Sequence, residues 1–209
     1  MTGVQTCALP IFGLADGRVN IGLGILNTSR AFQNVDYRDH LRRWLRETPE
    51  HWQLRGHADT VRIGGMALPM WFNRQPHYTK GMLLVGDAGG MVNPFNGEGI
   101  DYAYETGRMV ADLLDESLRT GSGMPLQRYP HLLEEEYGLY FKVARLFAKV
   151  IGQPVLMREL TRVGIRSRSL MDWVLRIMAN LLQPDEIGPA EAAYKAAAAI
   201  VKRVPDPLP

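Results

Sequence analysis

Apolar and polar positions alternate from Val19 to Ile25, with Val19, Ile21, Leu23 and Ile25 on one side and Asn20, Gly22 and Gly24 on the other. This period of two predicts a strand, and the Asp16-Gly17 turn ahead of it makes it the second arm of a hairpin. The glycines leave one strand face bare, which suits close approach of a backbone or a flat ligand, or equally a bulge. The period then lengthens. Asp36 stands as an N-cap before Tyr37, Leu41, Trp44 and Leu45, which share a helical face, and Pro49 lies beyond the helix end. Thr60 to Met70, rich in β-branched and apolar residues, predicts another strand. The loop Trp71-Phe72-Asn73-Arg74-Gln75-Pro76-His77-Tyr78 follows, gathering four rings that suit either a pocket wall or packing on a core.

Gly81 to Gly86 is a short apolar run between glycines, the pattern of a strand buried on both faces of a parallel sheet. Asp87 to Gly99 is glycine-dense. Beyond it Ile100, Ala103, Tyr104, Gly107, Val110, Ala111, Leu114 and Leu118 mark one helical face, and Gly121 supplies the stop. Strand, glycine-rich loop and helix in this order bring backbone N–H groups and the positive helix end to the loop, a place for a phosphate or an electron-rich carbonyl. Gly97 and Gly99 permit close approach of a flat ligand, and Asp87 is placed to accept hydrogen bonds from sugar-like hydroxyls. A turn of this kind also occurs without any ligand. From Tyr137 to Gln183 the pattern is of two or three helices with eight Lys and Arg against Glu159 and Asp172. Tyr140, Phe141, Leu146, Phe147, Trp173, Leu175, Ile177 and Met178 alternate with these charges, as in a basic amphipathic surface facing anionic lipid or in a solvated helix face. Glu191 to Val201 is Ala-rich and helical by propensity.

Of the 209 residues 46% are apolar, and 24 Lys and Arg face 22 Asp and Glu, a net charge of +2. These values predict a folded globular chain of one large or two small domains and give no reason for a nucleic-acid partner. Cys7 is the one cysteine and no Cys/His cluster has metal-ligand spacing, so no metal site and a reducing, cytoplasmic compartment are expected. Lys142, Arg145 and Lys149 interrupt the longest apolar stretch, short of the roughly 20 residues of a membrane span. Complete G-x-G-x-x-G, P-loop, H-E-x-x-H and G-x-S-x-G patterns are absent, which removes support for NTPase and hydrolase readings. Asn27-Thr28-Ser29 matches a glycosylation acceptor by chance. Residues 1–11 have neither signal-peptide character nor periodicity, and resemble the translation of a sequencing-adapter read. On that reading Cys7 is an artefact and native sequence begins near Phe12.

Gly86-Asp87-Ala88, then Pro94, Gly97-Glu98-Gly99-Ile100 and a helix with Gly107, resembles the second FAD motif of the p-hydroxybenzoate hydroxylase-like flavoproteins. Within that superfamily Asp16 to Gly22, Asn73-Arg74-Gln75-Pro76 and Asn93 to Ile100 are similar to the geranylgeranyl reductase family, above all its bacterial members acting on the menaquinone prenyl chain. The likeness runs from about Phe12 to Leu182. It implies an α/β fold, α+β within this stretch, with 12–78 as the edge of a substrate domain, 79–121 as the motif segment of the FAD domain, 122–204 as a helical C-terminal region and 205–209 as a tail. It implies that Asp87 binds the ribityl or ribose region of FAD, that Gly97 to Ile100 face the flavin pyrimidine, and that Pro94 lies beside the rings. It further implies hydride transfer from flavin to an isoprenoid C=C bond in a prenyl lipid or prenylquinone.

Trp71, Phe72, Tyr78 and Phe95 are the candidate substrate-pocket residues, and the basic helices are the candidate peripheral membrane contact. No proton donor stands out among His77, Tyr78 and Glu98, so the catalytic residues are left unassigned. The family's N-terminal G-x-G-x-x-G Rossmann unit is missing, and the chain is accordingly read as the C-terminal half of a longer enzyme, expected to bind FAD weakly or not at all alone. Two other readings stay open: an aromatic-ring monooxygenase or halogenase of the same superfamily, and a non-catalytic lipid- or partner-binding module.

Overall fold

The computed structural model describes residues 11–25, 32, 34–151, 153–178, 181 and 188–201. Cys7 and the rest of 1–10, the Asn27-Thr28-Ser29 triplet and the 205–209 tail lie outside them. The chain divides into two compact units, residues 1–67 and 68–209. The boundary falls ahead of the aromatic loop and not behind it, because Phe72 N–H donates to Gly90 O at 2.8 Å and ties that loop to the second unit.

In the first unit β1 (Ile11–Gly13) pairs antiparallel with β2 (Val19–Ile21) across the Asp16-Gly17 turn. Helix α1 (Tyr37–Glu47) starts as expected, the Asp36 carboxylate accepting from the Arg38 and Asp39 N–H groups. Leu41, Leu45 and Ala58 form a small core against which Ile21, Leu23, Trp44, Val61 and Ile63 pack. The expected strand over Thr60 to Met70 does not form; the segment carries only a single parallel bridge, Met70 to Val92. Its composition supplies propensity, but a strand needs a ladder partner, and none is found among the described residues.

The second unit is mostly helical. Strands β3 (Tyr78–Thr79) and β4 (Met82–Leu83) make a two-residue antiparallel pair, so the expected parallel-sheet strand over Gly81 to Gly86 is corrected. Met82 is 49% exposed. Leu83 and Val85 pack on a helical core instead of between neighbouring strands, and the Leu84 carbonyl accepts from Tyr129 Oη at 3.0 Å. The whole is α+β, two small sheets beside many helices.

Helix α2 (Ile100–Thr120) ends at Gly121, whose left-handed φ of 64° closes the C-terminus. Tyr102, Thr106, Val110 and Leu113 are its buried residues. The apolar row that marks one helical face in the sequence is open apart from Val110 and the half-buried Gly107: Ile100, Tyr104 and Leu118 are 60, 73 and 81% exposed. Apolar residues occur on both sides of α2, and the core formed by Met91, Tyr129, Leu133, Tyr137 and Phe141 covers one.

Helix α3 (Tyr129–Leu133) runs through a π-helical turn at Glu134–Gly138 into α4 (Leu139–Ile151), and α5 (Pro154–Gly164), α6 (Arg168–Met178) and α7 (Pro189–Val201) follow. Tyr140, Phe141 and Ile177 are buried and Phe147 and Met178 half-buried, which turns most of the apolar side of α4 inward, while Leu146 and Leu175 stay 39 and 57% exposed. Glu191, buried on α7, pairs with Arg176 of α6 at 3.1 Å.

Candidate functional site

The glycine-rich segment is a compact turn followed by a loop. Gly86–Gly89 form one 3-10 turn closed by Gly90. Gly86 has a φ of 52°, and a Cβ on it would lie 2.9 Å from the Ala103 Cβ, so this position lets the turn settle on α2. Its N–H donates to Thr106 Oγ1 at 3.1 Å, and that hydroxyl donates to Tyr102 O at 2.6 Å. The turn is therefore anchored to the sealed side of α2. Asp87 and Ala88 remain exposed on it.

The aromatic loop braces the same turn from the other side. His77 Nε2 donates to Gly89 O at 3.0 Å, and burial holds its imidazole below its ordinary pKa although that hydrogen bond pulls the other way. Trp71 and Phe72 sit at φ 57° and 51°, a region that bulky side chains avoid. Their surroundings hold them there: Phe72 packs on Phe141 with centroids 4.9 Å apart, and the Arg145 guanidinium lies 3.4 Å from the Trp71 ring centroid. Of the four candidate pocket residues, Phe72 and Phe95 are buried in separate helical clusters, while Trp71 and Tyr78 are half-buried. The structure does not gather them around one cavity. A depression of about 280 Å³ is lined by Phe72, Gln75, Pro76, His77, Pro130, Leu133 and Glu134.

Sequence reasoning passed over the residues that fix the second half of the loop. Asn93, 1% exposed, accepts from Phe95 N–H with Oδ1 at 2.9 Å and donates through Nδ2 to Tyr102 Oη at 3.2 Å and Tyr140 Oη at 3.0 Å. Tyr140 Oη in turn donates to Ile177 O at 3.0 Å, and Asn96 Nδ2 to Met178 O at 3.0 Å. Burial, above all, pushes the Tyr102 phenol far above its usual range, which keeps it a neutral member of this network. The C-terminal end of α6 is thereby fastened to the loop. The two asparagines flanking Pro94-Phe95 were the available signal, though their partners on α4 and α6 are distant in sequence.

Glu98 occupies the helix N-terminus that the sequence reading assigned to a ligand. Its Oε1 accepts from the Ile100 N–H at 2.7 Å and the Asp101 N–H at 3.3 Å. Its other oxygen, Oε2, is buried without a hydrogen-bond partner among the described residues. A carboxylate at this end is favoured by the helix dipole. Gly97 and Gly99 are half-buried and Ile100 is exposed, while Pro94 is buried. A Cβ at Gly99 would stand 3.0 Å from Asp87 Oδ1, so the bare glycine keeps the Asp87 carboxylate against the start of α2. The arrangement offers an open anionic acceptor, Asp87, beside a helix N-terminus whose outer N–H groups Glu98 holds.

Comparison with known proteins bears on this layout. The chain is 36% identical over 176 residues to menaquinone reductase of Mycobacterium tuberculosis, covering 84% of this chain and 41% of the relative. It is 30% identical over 208 residues to menaquinone reductase of Mycolicibacterium smegmatis, covering 95% and 47%. To digeranylgeranylglycerophospholipid reductase 2 of Methanopyrus kandleri it is 30% identical over 145 residues, covering 68% and 36%. The chain belongs to the geranylgeranyl reductase-like family. It spans less than half the length of these curated relatives. No protein-family model and no solved structure matches it.

Proposed function

We propose that this chain is the C-terminal part of an FAD-dependent reductase that saturates isoprenoid C=C bonds in a geranylgeranyl or menaquinone prenyl chain. The observation that carries the proposal is the exposed Asp87 carboxylate set against Gly99 at the start of α2, in a chain whose relatives are menaquinone and digeranylgeranylglycerophospholipid reductases. The donor set suits the cofactor at one end: an ionised carboxylate accepts from ribityl or ribose hydroxyls, and glycine allows a flat ring close to backbone. At the other end Glu98 has to release the Ile100 and Asp101 N–H groups before they face a flavin carbonyl. The partnerless Glu98 Oε2 makes that release less costly than breaking a fully satisfied cap would be.

Bound FAD would supply the hydride that reduces the double bond. The chain's own residues shape the place. Asp87 orients the cofactor's hydroxyls, Gly86 and Ala88 form the turn that presents Asp87, and Pro94 backs the loop. Trp71 and Tyr78 keep partly open ring surfaces for a prenyl chain, whereas Phe72 and Phe95 are taken up by separate helical cores. The open apolar row on α2 supports the further reading that the rest of the enzyme, including a Rossmann unit for the FAD diphosphate, packs there. The test is a chimera in which this chain replaces the matched part of the Mycobacterium tuberculosis relative. With dithionite to reduce the flavin, and the quinone ring re-oxidised before analysis, mass spectrometry of menaquinone incubated with it should show two hydrogens gained in the prenyl chain; an unchanged prenyl chain with a folded chimera would contradict the assignment.

A further inference from the structure

Exposed apolar side chains concentrate on α5 and the turn that follows it. Leu156, Leu160 and Val163, spaced i, i+4 and i+7 on one strip of the helix, are 40, 46 and 58% exposed, and Ile165 in the turn is 74% exposed. Arg158 and Arg162 stand on the polar side of α5, turned away from this strip, with Arg166 in the turn and Arg168 at the start of α6, all exposed. On α5 only Glu159 opposes them, paired with Arg162 at 3.3 Å. The open row on α2 differs in this respect, for that helix carries Asp101, Glu105, Asp112, Asp115 and Glu116 against Arg108 and Arg119, a balance that an anionic surface would repel.

An 11-residue helix is about 16 Å long, too short to cross a bilayer and long enough to lie in its interface. Among the described residues no helix is long and apolar enough to cross a membrane. We propose that α5 and Ile165 seat the chain on a bilayer rich in anionic lipid, the apolar strip entering the headgroup boundary and the four arginines supplying the positive charge that draws the helix to that surface. Charge selects this occupant. A protein partner or a second copy would need acidic groups placed to match four arginines, whereas an anionic leaflet presents negative charge in any register. The inference rests on this surface alone, so it stands or falls separately from the reductase reading.

The test is flotation of the whole 209-residue chain with vesicles of phosphatidylcholine alone or mixed with phosphatidylglycerol. Binding is expected to the mixed vesicles and to weaken with added salt. Leu160→Glu and Ile165→Glu should each reduce it at least about ten-fold, since each forces a charge into the apolar strip. Arg158→Gln and Arg162→Gln change only exposed side chains, so they preserve the fold and should each weaken binding about five-fold. Failure to float with mixed vesicles, equal binding to both vesicle types, or indifference to all four substitutions overturns the proposal. So does a dimer in solution that the same substitutions convert to monomer, for the face would then belong to a second copy.

Discussion

The two sides of α2 carry similar residues and have opposite surroundings. Tyr102, Thr106, Val110 and Leu113 are sealed beneath Tyr129, Leu133, Tyr137 and Phe141, while Ile100, Tyr104 and Leu118 stand open. Leu113 and Leu114 are chain neighbours, yet one is 4% and the other 41% exposed. Apolar periodicity says that a helix has a side worth burying; which side is buried depends on what the rest of the chain brings to it. The sealed side also holds the glycine-rich turn, through Thr106, and the following loop, through Tyr102 and Asn93. The loop's shape is therefore set by residues of this chain, and the open side contributes only Ala103, on which the Gly86 turn settles.

Substitutions on either side should separate the two. Leu113→Ala should destabilise the second unit by about 2–5 kcal/mol, seen as faster hydrogen exchange along α2, because it leaves a cavity in a sealed core. Asn93→Ala should cost about 1–3 kcal/mol, since it takes an acceptor from Phe95 N–H and a donor from two buried tyrosines. Its mark would be loosened exchange in both the loop and the end of α6. Glu98→Ala should cost about 1 kcal/mol by uncapping α2, confined to the first turn of the helix. Leu114→Ala and Leu118→Ser should stay within about 0.5 kcal/mol. Large losses there in this chain would mean that the open side is covered after all.

Protonation offers a finer test of the brace. The His77 imidazole, held below its ordinary value of 6.5 by burial, binds a proton less readily folded than unfolded. The stability it contributes is thus present above about pH 6.5 and is lost as the pH falls below that value. His77→Gln should remove that part of the pH dependence, measured by urea unfolding across the range.

Local signals were read well because their physics is local. The Asp36 cap, the Asp16-Gly17 hairpin turn and the Gly121 stop each follow from a few neighbouring residues. What failed depended on distant partners. Thr60 to Met70 and Gly81 to Gly86 have strand composition, but no extended ladder forms for either among the described residues. In the candidate site, Asp87 and the glycines stood out by spacing, whereas the role of Asn93 depends on Tyr140, 47 residues away. Glu98, two residues before α2, carried a capping signal that the expectation of a ligand at the same N–H groups obscured.

The most direct measurement is the flavin content of the chimera with the Mycobacterium tuberculosis relative, read from its visible absorption after gel filtration, with and without Asp87→Ala. If Asp87 to Ile100 form the cofactor loop, the parent chimera keeps FAD and Asp87→Ala, folded to the same extent, loses most of it. Equal FAD in both would contradict the assignment of this loop to the cofactor.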